Sequence, residues 1–344
     1  MGERAAVWEE AANRYLPPVE DELKRLLGAP GRSLSTYYSM MHYHLGWVDE
    51  GLEAVQRPGG KRLRPLLCLL ACEAAGGDLH RAMPAAAAIE IIHNFSLAHD
   101  DIQDGDAVRR HRPTLWKVWG VPQALNVGDG LFALGHVAMA SLAQRGVPAS
   151  QVLAARQILD HACLALIHGQ YLDVSFEERA EVDEAEYLEM VAGKTAALFC
   201  CATELGSLLA GGEPDVVTHY RQFGHNLGLA FQMTDDILGI WGDPAVTGKP
   251  AASDIVQRKK TLPVIYALRA SPELRDLYEH DLEDERVLPA VLDMLDQVGA
   301  RPYTERLADR YRAQALEELG LTGPMNGYHD QLEALAEFLT ARNY

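Results

Sequence analysis

The sequence predicts an all-α fold: one large helical bundle over residues 1–344, with an apolar cavity at its centre. Three features carry this. Apolar residues recur at helical spacing nearly throughout, convincing runs of period two with β-branched residues are missing, and several segments are apolar on most of their circumference. Helices of that last kind belong in the middle of a bundle. With 344 residues, 48% hydrophobic and 23% charged, the chain is long enough for a deep core and ordinary in globular composition.

The elements follow in order. The opening stretch, MGERAAVWEEAANRYLPPVEDELKRLL, is charged throughout and lacks a signal-peptide core, and no segment reaches bilayer-spanning length. The expectation is a cytoplasmic protein with no transmembrane segment. RLRPLLCLLACEAAGG carries an apolar stripe of Leu63, Leu66, Leu67, Leu70 and Ala71 and stops at Gly76 and Gly77. Cys68 and Cys72 fall inside it. The five cysteines form no CxxC pair, which suits core residues in a reducing compartment. MPAAAAIEIIHNFSLAHDDIQD then continues apolar for about five turns. GDGLFALGHVAMASLAQRG, SQVLAARQILDHACLALIHGQYLD, EYLEMVAGKTAALFCCATELGSLLAGG and YRQFGHNLGLAFQMTDDILGIWGD repeat the pattern. WGVPQALNVGDG and GDPAVTGKPAASD read as short loops marked by Gly, Pro and Asp, and the acidic stretch at 279–287 reads as solvated surface.

The net charge of -18 argues against a nucleic-acid partner. A small phosphorylated ligand stays open, because local basic residues or bridging cations can hold it. HDDIQDGDAVRR places Asp100 and Asp104 one helical turn apart, with Asp101 beside them. Oxygen-only ligands suit Mg²⁺, which takes a few carboxylates together with phosphate oxygens and water. An acidic helix end facing solvent is the plainer alternative, but this cluster closes a helix, where the macrodipole disfavours negative charge. FQMTDDILGIWGD repeats the theme with Asp235 and Asp236, and Asp243 lies two turns beyond Asp235 if the helix runs that far. Two such clusters suggest a facing pair able to hold several divalent ions and a diphosphate. Basic candidates are Lys61, Arg62 and Arg64 behind Gly59 and Gly60, then Arg109, Arg110, Lys249, Arg258, Lys259 and Lys260. Each alone reads as a solvated cation; together they suit two anionic heads, one on metal and one on Lys and Arg. No GxSxG and no zinc spacing occurs. The chemistry that remains is metal-assisted loss of diphosphate, with a carbocation sheltered by apolar walls.

These motifs resemble those of the trans-isoprenyl diphosphate synthases, the polyprenyl synthetase family, closest to its short-chain geranylgeranyl and farnesyl members. GGKRLRP, HNFSLAHDDIQDGDAVRR, GQYLD, GKTAALF, FQMTDDILG and GKPAASDIVQRKKTLP stand in the family's order over roughly residues 59–263. The resemblance implies an isoprenoid-synthase bundle, a homodimer, three Mg²⁺ ions, and an allylic diphosphate that ionises and is attacked by isopentenyl diphosphate. It implies that Asp100 and Asp104, with Asp101 supporting, hold two metals, and that Asp235, with Asp236 beside it, holds the third. Lys61, Arg64, His93 and Arg110 would hold isopentenyl diphosphate. Arg109, Lys194 and Lys259 would hold the allylic diphosphate, with Lys249 joining the basic set, and Thr195 and Gln232 would line the reaction centre. The released diphosphate would serve as the base. Phe95, five residues before Asp100, would be the floor that stops elongation, with small Ser96 beside it and Ile92 and Ala88 below. This favours a twenty-carbon product, with the fifteen-carbon one as the alternative.

The chain departs from the family pattern at three positions. Gly239 replaces the last aspartate of the second DDxxD, where Asp243 is a candidate substitute. His111 and Arg258 stand where glycines are usual. Two other readings compete: a class I terpene cyclase on the same fold, and a non-catalytic partner subunit. The intact GGKRLRP argues against the first and the intact first aspartate cluster against the second.

Overall fold

A computed structural model describes residues 2–55, 60–243, 252–280 and 287–340, with side chains from Glu9 onward except at 253, 279 and 280. The described chain is helical apart from one short hairpin. In order, the helices are α1 (Gly2–Leu26), α2 (Ser35–Leu45), α3 (Leu63–Ala74), α4 (Leu79–Gln103), α5 (Leu115–Trp119), α6 (Val121–Ala140), α7 (Ala149–Glu177), α8 (Glu184–Val191), α9 (Ala197–Ala210) and α10 (Pro214–Trp241). Then come α11 (Ser253–Val256), α12 (Leu262–Ala270), α13 (Pro272–His280), α14 (Val287–Gln297), α15 (Ala300–Gly320) and α16 (Gly327–Thr340). β1 (Val108–Arg109) and β2 (Arg112–Pro113) pair antiparallel. Among the described residues no helix is long and apolar enough to cross a membrane.

The chain divides into two compact units, each discontinuous in sequence. The first comprises Met1–Cys163, Leu198–Arg221 and Leu319–Leu335; the second comprises Leu164–Ala197, Gln222–Glu318 and Ala336–Tyr344.

In the first unit α4 is the buried axis. Its Ala85, Ala86, Ala87, Ala88, Ile89, Ile91 and Ile92 are fully enclosed, and small side chains let neighbours approach. α3 is buried just as completely, including Cys68 and Cys72. α1 covers the core with Tyr15, Val19 and Leu23, and Leu27 just beyond its end continues the stripe at four-residue spacing. Glycines mark the tightest contacts. A Cβ on Gly206 would lie 2.2 Å from the Cys68 carbonyl oxygen, and one on Gly128 would lie 2.2 Å from His99 Nε2. Gly128 sits in WGVPQALNVGDG, which the sequence marked as a loop. The structure makes it the start of α6: Pro122 fits a helix's first turn, and the glycines are there for close packing.

The second unit has two apolar clusters. One joins Phe176, Tyr187, Met190, Val191, Leu229, Met233 and Leu262; the other joins Ile240, Ile255, Val264, Leu274, Val291 and Leu295. Between α8 and α9 the helix widens into a single π turn over Ala192–Ala196.

Candidate active site

The first unit builds an acidic and a basic group on α4. Asp104 caps its C-terminus, so Asp100, Asp101 and Asp104 occupy the last turn. Asp101 is buried, and its Oδ1 accepts from Arg109 Nε, while its Oδ2 is buried without a hydrogen-bond partner in the protein. Burial pushes the Asp101 carboxyl up to about 6, against the opposing pull of Arg109. An orphaned buried carboxylate oxygen beside Asp100 and Asp104 is a fitting donor for a hard cation. Among the described residues, no three His, Cys, Asp or Glu side chains converge closely enough to hold a metal by themselves. Mg²⁺ keeps waters and takes phosphate oxygens among its ligands.

The basic group lies further back on the same helix. Arg64 Nη1 donates to His93 Nε2 at 3.2 Å. A guanidinium only donates, so that nitrogen is the acceptor and the ring proton sits on Nδ1. Burial, then the charges of Arg64, Arg110 and Arg109, drive the His93 pKa well below its usual value, so the ring is neutral. Gly60 has φ +108°, and a Cβ there would lie 2.7 Å from Arg110 Nη2. The backbone therefore comes close to Arg110 at Gly60; Gly59 and Lys249 lie outside the described residues. Arg62 is structural instead: buried, it donates to Glu20 at 2.9 Å, Glu90 at 2.7 Å and the Leu45 carbonyl at 3.2 Å. Lys61 is exposed just ahead of α3.

Arg109 and Arg110 are aimed by the hairpin. Arg109 pairs with Arg112, which leaves Arg110 and His111 as a two-residue loop with φ 50° and 61°. Positive φ at both central positions is the mark of a type I′ turn, which favours Asn-Gly. That explains why glycine is usual at His111: the backbone there is left-handed, and a side chain is strained in it. Arg258, at φ 55°, has the same explanation. The hairpin also lines a cavity of about 220 Å³ with His44, Asp101, Arg109, Arg110 and Tyr43. His44 Nε2 lies 3.0 Å from the Asn94 carbonyl oxygen and so donates to it. Burial, reinforced by Arg110 and Arg109, lowers the His44 pKa to about 3.

The remaining α4 candidates face α6. Phe95 meets Phe132 at 5.0 Å between ring centres, Phe132 meets His136 at 4.7 Å, and His136 Nδ1 lies 3.1 Å from Asp160. Ile92 packs where a Cβ on Gly135 would come within 2.7 Å of it. Ser96 donates to the His93 carbonyl at 2.9 Å. Phe132 was not singled out from the sequence, because a lone aromatic in an apolar run signals nothing about its neighbour.

The second unit orders the other motif. Asp236 is fully enclosed and accepts from Tyr187 Oη at 2.6 Å, Gln232 Nε2 at 2.9 Å and the Leu262 amide at 3.0 Å. Burial still pushes it up to about 7, with the charge of Asp254 adding to the shift. Thr195 donates to Gln232 at 2.7 Å, so one chain of hydrogen bonds links the π turn, α10 and the start of α12. Lys194 pairs with Asp173, the aspartate of GQYLD. A Cβ on Gly169 would lie 2.1 Å from the Lys194 amide nitrogen, which ties the glycines of GQYLD and GKTAALF to one close helix crossing. π turns recur at functional sites because they swing a side chain off the regular helical face. Asp235 sits on α10 one residue before Asp236, and Lys259 is half-buried just before α12. Asp243 does not continue the row: α10 ends at Trp241 and Asp243 is exposed. Tyr187, Asp173 and Asp254 are the additions the structure makes.

A profile of the polyprenyl synthetase family matches residues 46–295. The (2E,6E)-farnesyl diphosphate synthase of Mycobacterium tuberculosis is 39% identical over 311 residues, covering 88% of this chain and 85% of its own. The geranylgeranyl diphosphate synthase of the same organism is 46% identical over 245 residues, covering 70% of this chain and 69% of its own. The crystal structure of a polyprenyl synthetase from Streptomyces coelicolor superimposes with a TM-score of 0.86 at 37% identity, covering 97% of this chain and 99% of that one. The chain belongs to the polyprenyl synthetase family and is a short-chain trans-isoprenyl diphosphate synthase, a prenyltransferase.

Proposed function

We propose that this synthase extends an allylic diphosphate with isopentenyl diphosphate up to geranylgeranyl diphosphate, using three Mg²⁺ ions. The observation that carries the reading is the layout of α4. His93 and Asp100 are seven residues apart, so they share a face about 10.5 Å apart along the axis. The helix thus presents a basic, metal-free anion site and a carboxylate site two turns away, as two diphosphates demand.

The family is Mg²⁺-dependent. Magnesium supplies charge stabilisation to the departing diphosphate. Asp100 and Asp104 are the residues that would hold two ions, with Asp101 in support, and Asp235 would hold the third. Arg64, neutral His93 and Arg110 hold isopentenyl diphosphate, with Lys61 joining them. Neutral His93 donates through Nδ1 and adds no charge that must later be released. Arg109, Lys194 and Lys259 neutralise the allylic diphosphate, while Thr195 and Gln232 face the reacting carbons. Asp173 and Asp101 fix the two cations paired with them, so neither side chain has to be ordered during turnover. The departing diphosphate takes the proton.

One observation favours the fifteen-carbon alternative. Phe132 packs against Phe95 with the rings tilted by 58°, so the floor would have two aromatics drawn from different helices. Incubation with dimethylallyl and isopentenyl diphosphates, with products resolved by chain length, decides between them. A twenty-carbon end product supports the reading, a fifteen-carbon one selects the alternative, and no elongation rejects both.

A homodimer is part of this proposal. α6 leaves Val137 59% exposed, and α7 leaves Leu153 61%, Leu164 51% and Tyr171 72% exposed. Exposed apolar side chains on these two helices are candidates for cover by a partner. Light scattering of the native protein tests it, and a monomer mass refutes it.

A further inference from the structure

The hairpin that carries Arg109 and Arg110 has little to hold it in shape by itself. Each strand is two residues long, and an isolated hairpin is marginal in water. Both turn residues, Arg110 and His111, are left-handed. Arg109 stands directly opposite Arg112 across the ladder, a like-charge pairing that repels. What offsets these costs is a set of contacts from outside the hairpin. Arg112 Nη2 donates to the Val48 carbonyl at 2.7 Å, Nη1 donates to the Tyr43 carbonyl at 3.2 Å, and Cζ stands 3.9 Å from the centre of the Tyr43 ring. Tyr43 reaches back the other way, its Oη donating to the Pro113 carbonyl at 2.7 Å.

We propose that Arg112 and Tyr43 form a clasp that positions both diphosphate-binding arginines, so that one contact outside the site sets the affinity for two substrates. It rests on the reading above that Arg110 holds isopentenyl diphosphate and Arg109 the allylic diphosphate. Arg112 and Tyr43 act through the hairpin and are positioning residues.

The clasp is itself anchored. Tyr43 is 3% exposed, and its ring meets Trp119 of α5 edge to face with centres 4.9 Å apart. The loop that offers the Val48 carbonyl is closed by the Val48–Ala54 bridge and by the Asp49 amide, which donates to the Glu53 carbonyl at 2.9 Å. The Arg112 side chain is 12% exposed, and a cation over an aromatic face is held more strongly as water is removed. At the open end of the hairpin, Thr114 Oγ1 and Trp116 Nε1 donate to the Asp106 carbonyl at 2.8 and 2.9 Å. Those bonds gather the strand ends and leave the turn end to the clasp. The opposed arginines are thus drawn to different acceptors, Arg109 to Asp101 and Arg112 to α2 and its following loop. An arginine fixed in advance loses less freedom when a diphosphate arrives.

Steady-state kinetics of the full-length enzyme, with each substrate varied while the other saturates, test the clasp. Arg112→Met keeps an apolar stem against the Tyr43 ring and removes the charge and both carbonyl bonds. It is expected to raise both KM values about tenfold with kcat changed by less than about threefold, the pattern of lost binding that leaves the reacting atoms alone. Arg112→Lys restores the cation but not the planar fork, and is expected to recover part of both KM values. Tyr43→Phe keeps the ring and its packing, and it decides the matter should Arg112→Met fail to fold. Loss of the Pro113 bond is expected to raise both KM values about threefold. Parent-like KM values with only a lowered Tm would make the clasp purely structural and overturn the proposal, and so would a rise in one KM alone. Arg110→Met and Arg109→Met separate the two levels. If Arg110→Met raises the KM for isopentenyl diphosphate and Arg109→Met that for the allylic diphosphate, while Arg112→Met moves neither, only the clasp falls. If neither of those two variants moves its KM, the reading of the two arginines falls with it.

Discussion

Arg110 and His111 show what one strained pair of residues does for the site. The left-handed turn sets the Arg110 guanidinium against Gly60, at the end of the basic group. A left-handed non-glycine residue costs roughly 1–2 kcal/mol, part of which glycine gives back as unfolded-chain entropy. His111→Gly should therefore stabilise the protein by about 1 kcal/mol, read from denaturant midpoints at unchanged m. A destabilised variant would mean that the His111 side chain makes contacts worth more than the strain. His44 carries a pH prediction. Its folded pKa of about 3 lies below the ordinary 6.5. Between those values the unfolded chain binds a proton that the folded chain does not, so this stability is complete above 6.5 and lost as pH falls towards 3. His93, also depressed, adds to the same trend. His44→Gln keeps a donor for the Asn94 carbonyl but removes the titration. Its loss of stability between pH 7.5 and pH 5 should be smaller than the parent's, as measured by urea unfolding at each pH. An equal loss would show that His44 does not titrate in that window.

Helix crossings set the site at the next level of organisation. Gly169→Ala would drive a Cβ into the Lys194 backbone, and overpacking of this kind costs roughly 1–3 kcal/mol. We expect a lower Tm and a raised KM for the allylic diphosphate, because Lys194 moves with the π turn; an unchanged KM would separate Lys194 from that substrate. At the α4–α6 crossing, Phe95 and Phe132 meet from the two helices, and both belong to the proposed floor. Phe95→Ala should lengthen the product, Phe132→Ala should do so more weakly by unbracing Phe95, and the double variant should exceed either. Product distributions by chromatography check this. If Phe95→Ala leaves the distribution unchanged, Phe95 is not the floor and the chain-length assignment loses its support.

For the molecule as a whole, the metal-dependent step is open to the simplest test. Chelation, or Asp100→Ala, should lower turnover by at least about a hundredfold, since an electrostatic contribution aimed at the leaving group is lost. The Tm of the free protein should hold or rise, because removing one of several clustered like charges relieves repulsion. Near-normal turnover in a chelated sample would defeat the mechanism. The helical class of this protein, the buried run of α4 and the first aspartate cluster at the end of that helix were all legible in the sequence. Each is a local property: a period of 3.6 and the identity of residues one turn apart determine it. Departures from the family pattern were legible as well, but not their causes. That Asp243 stands beyond the end of α10, that His111 closes a left-handed turn, and that Phe132 backs Phe95 were decided by tertiary structure alone. In each case the partners are distant in sequence or the cause is a backbone angle. Periodicity says which face of a helix is buried, but not which atom of another element meets it there.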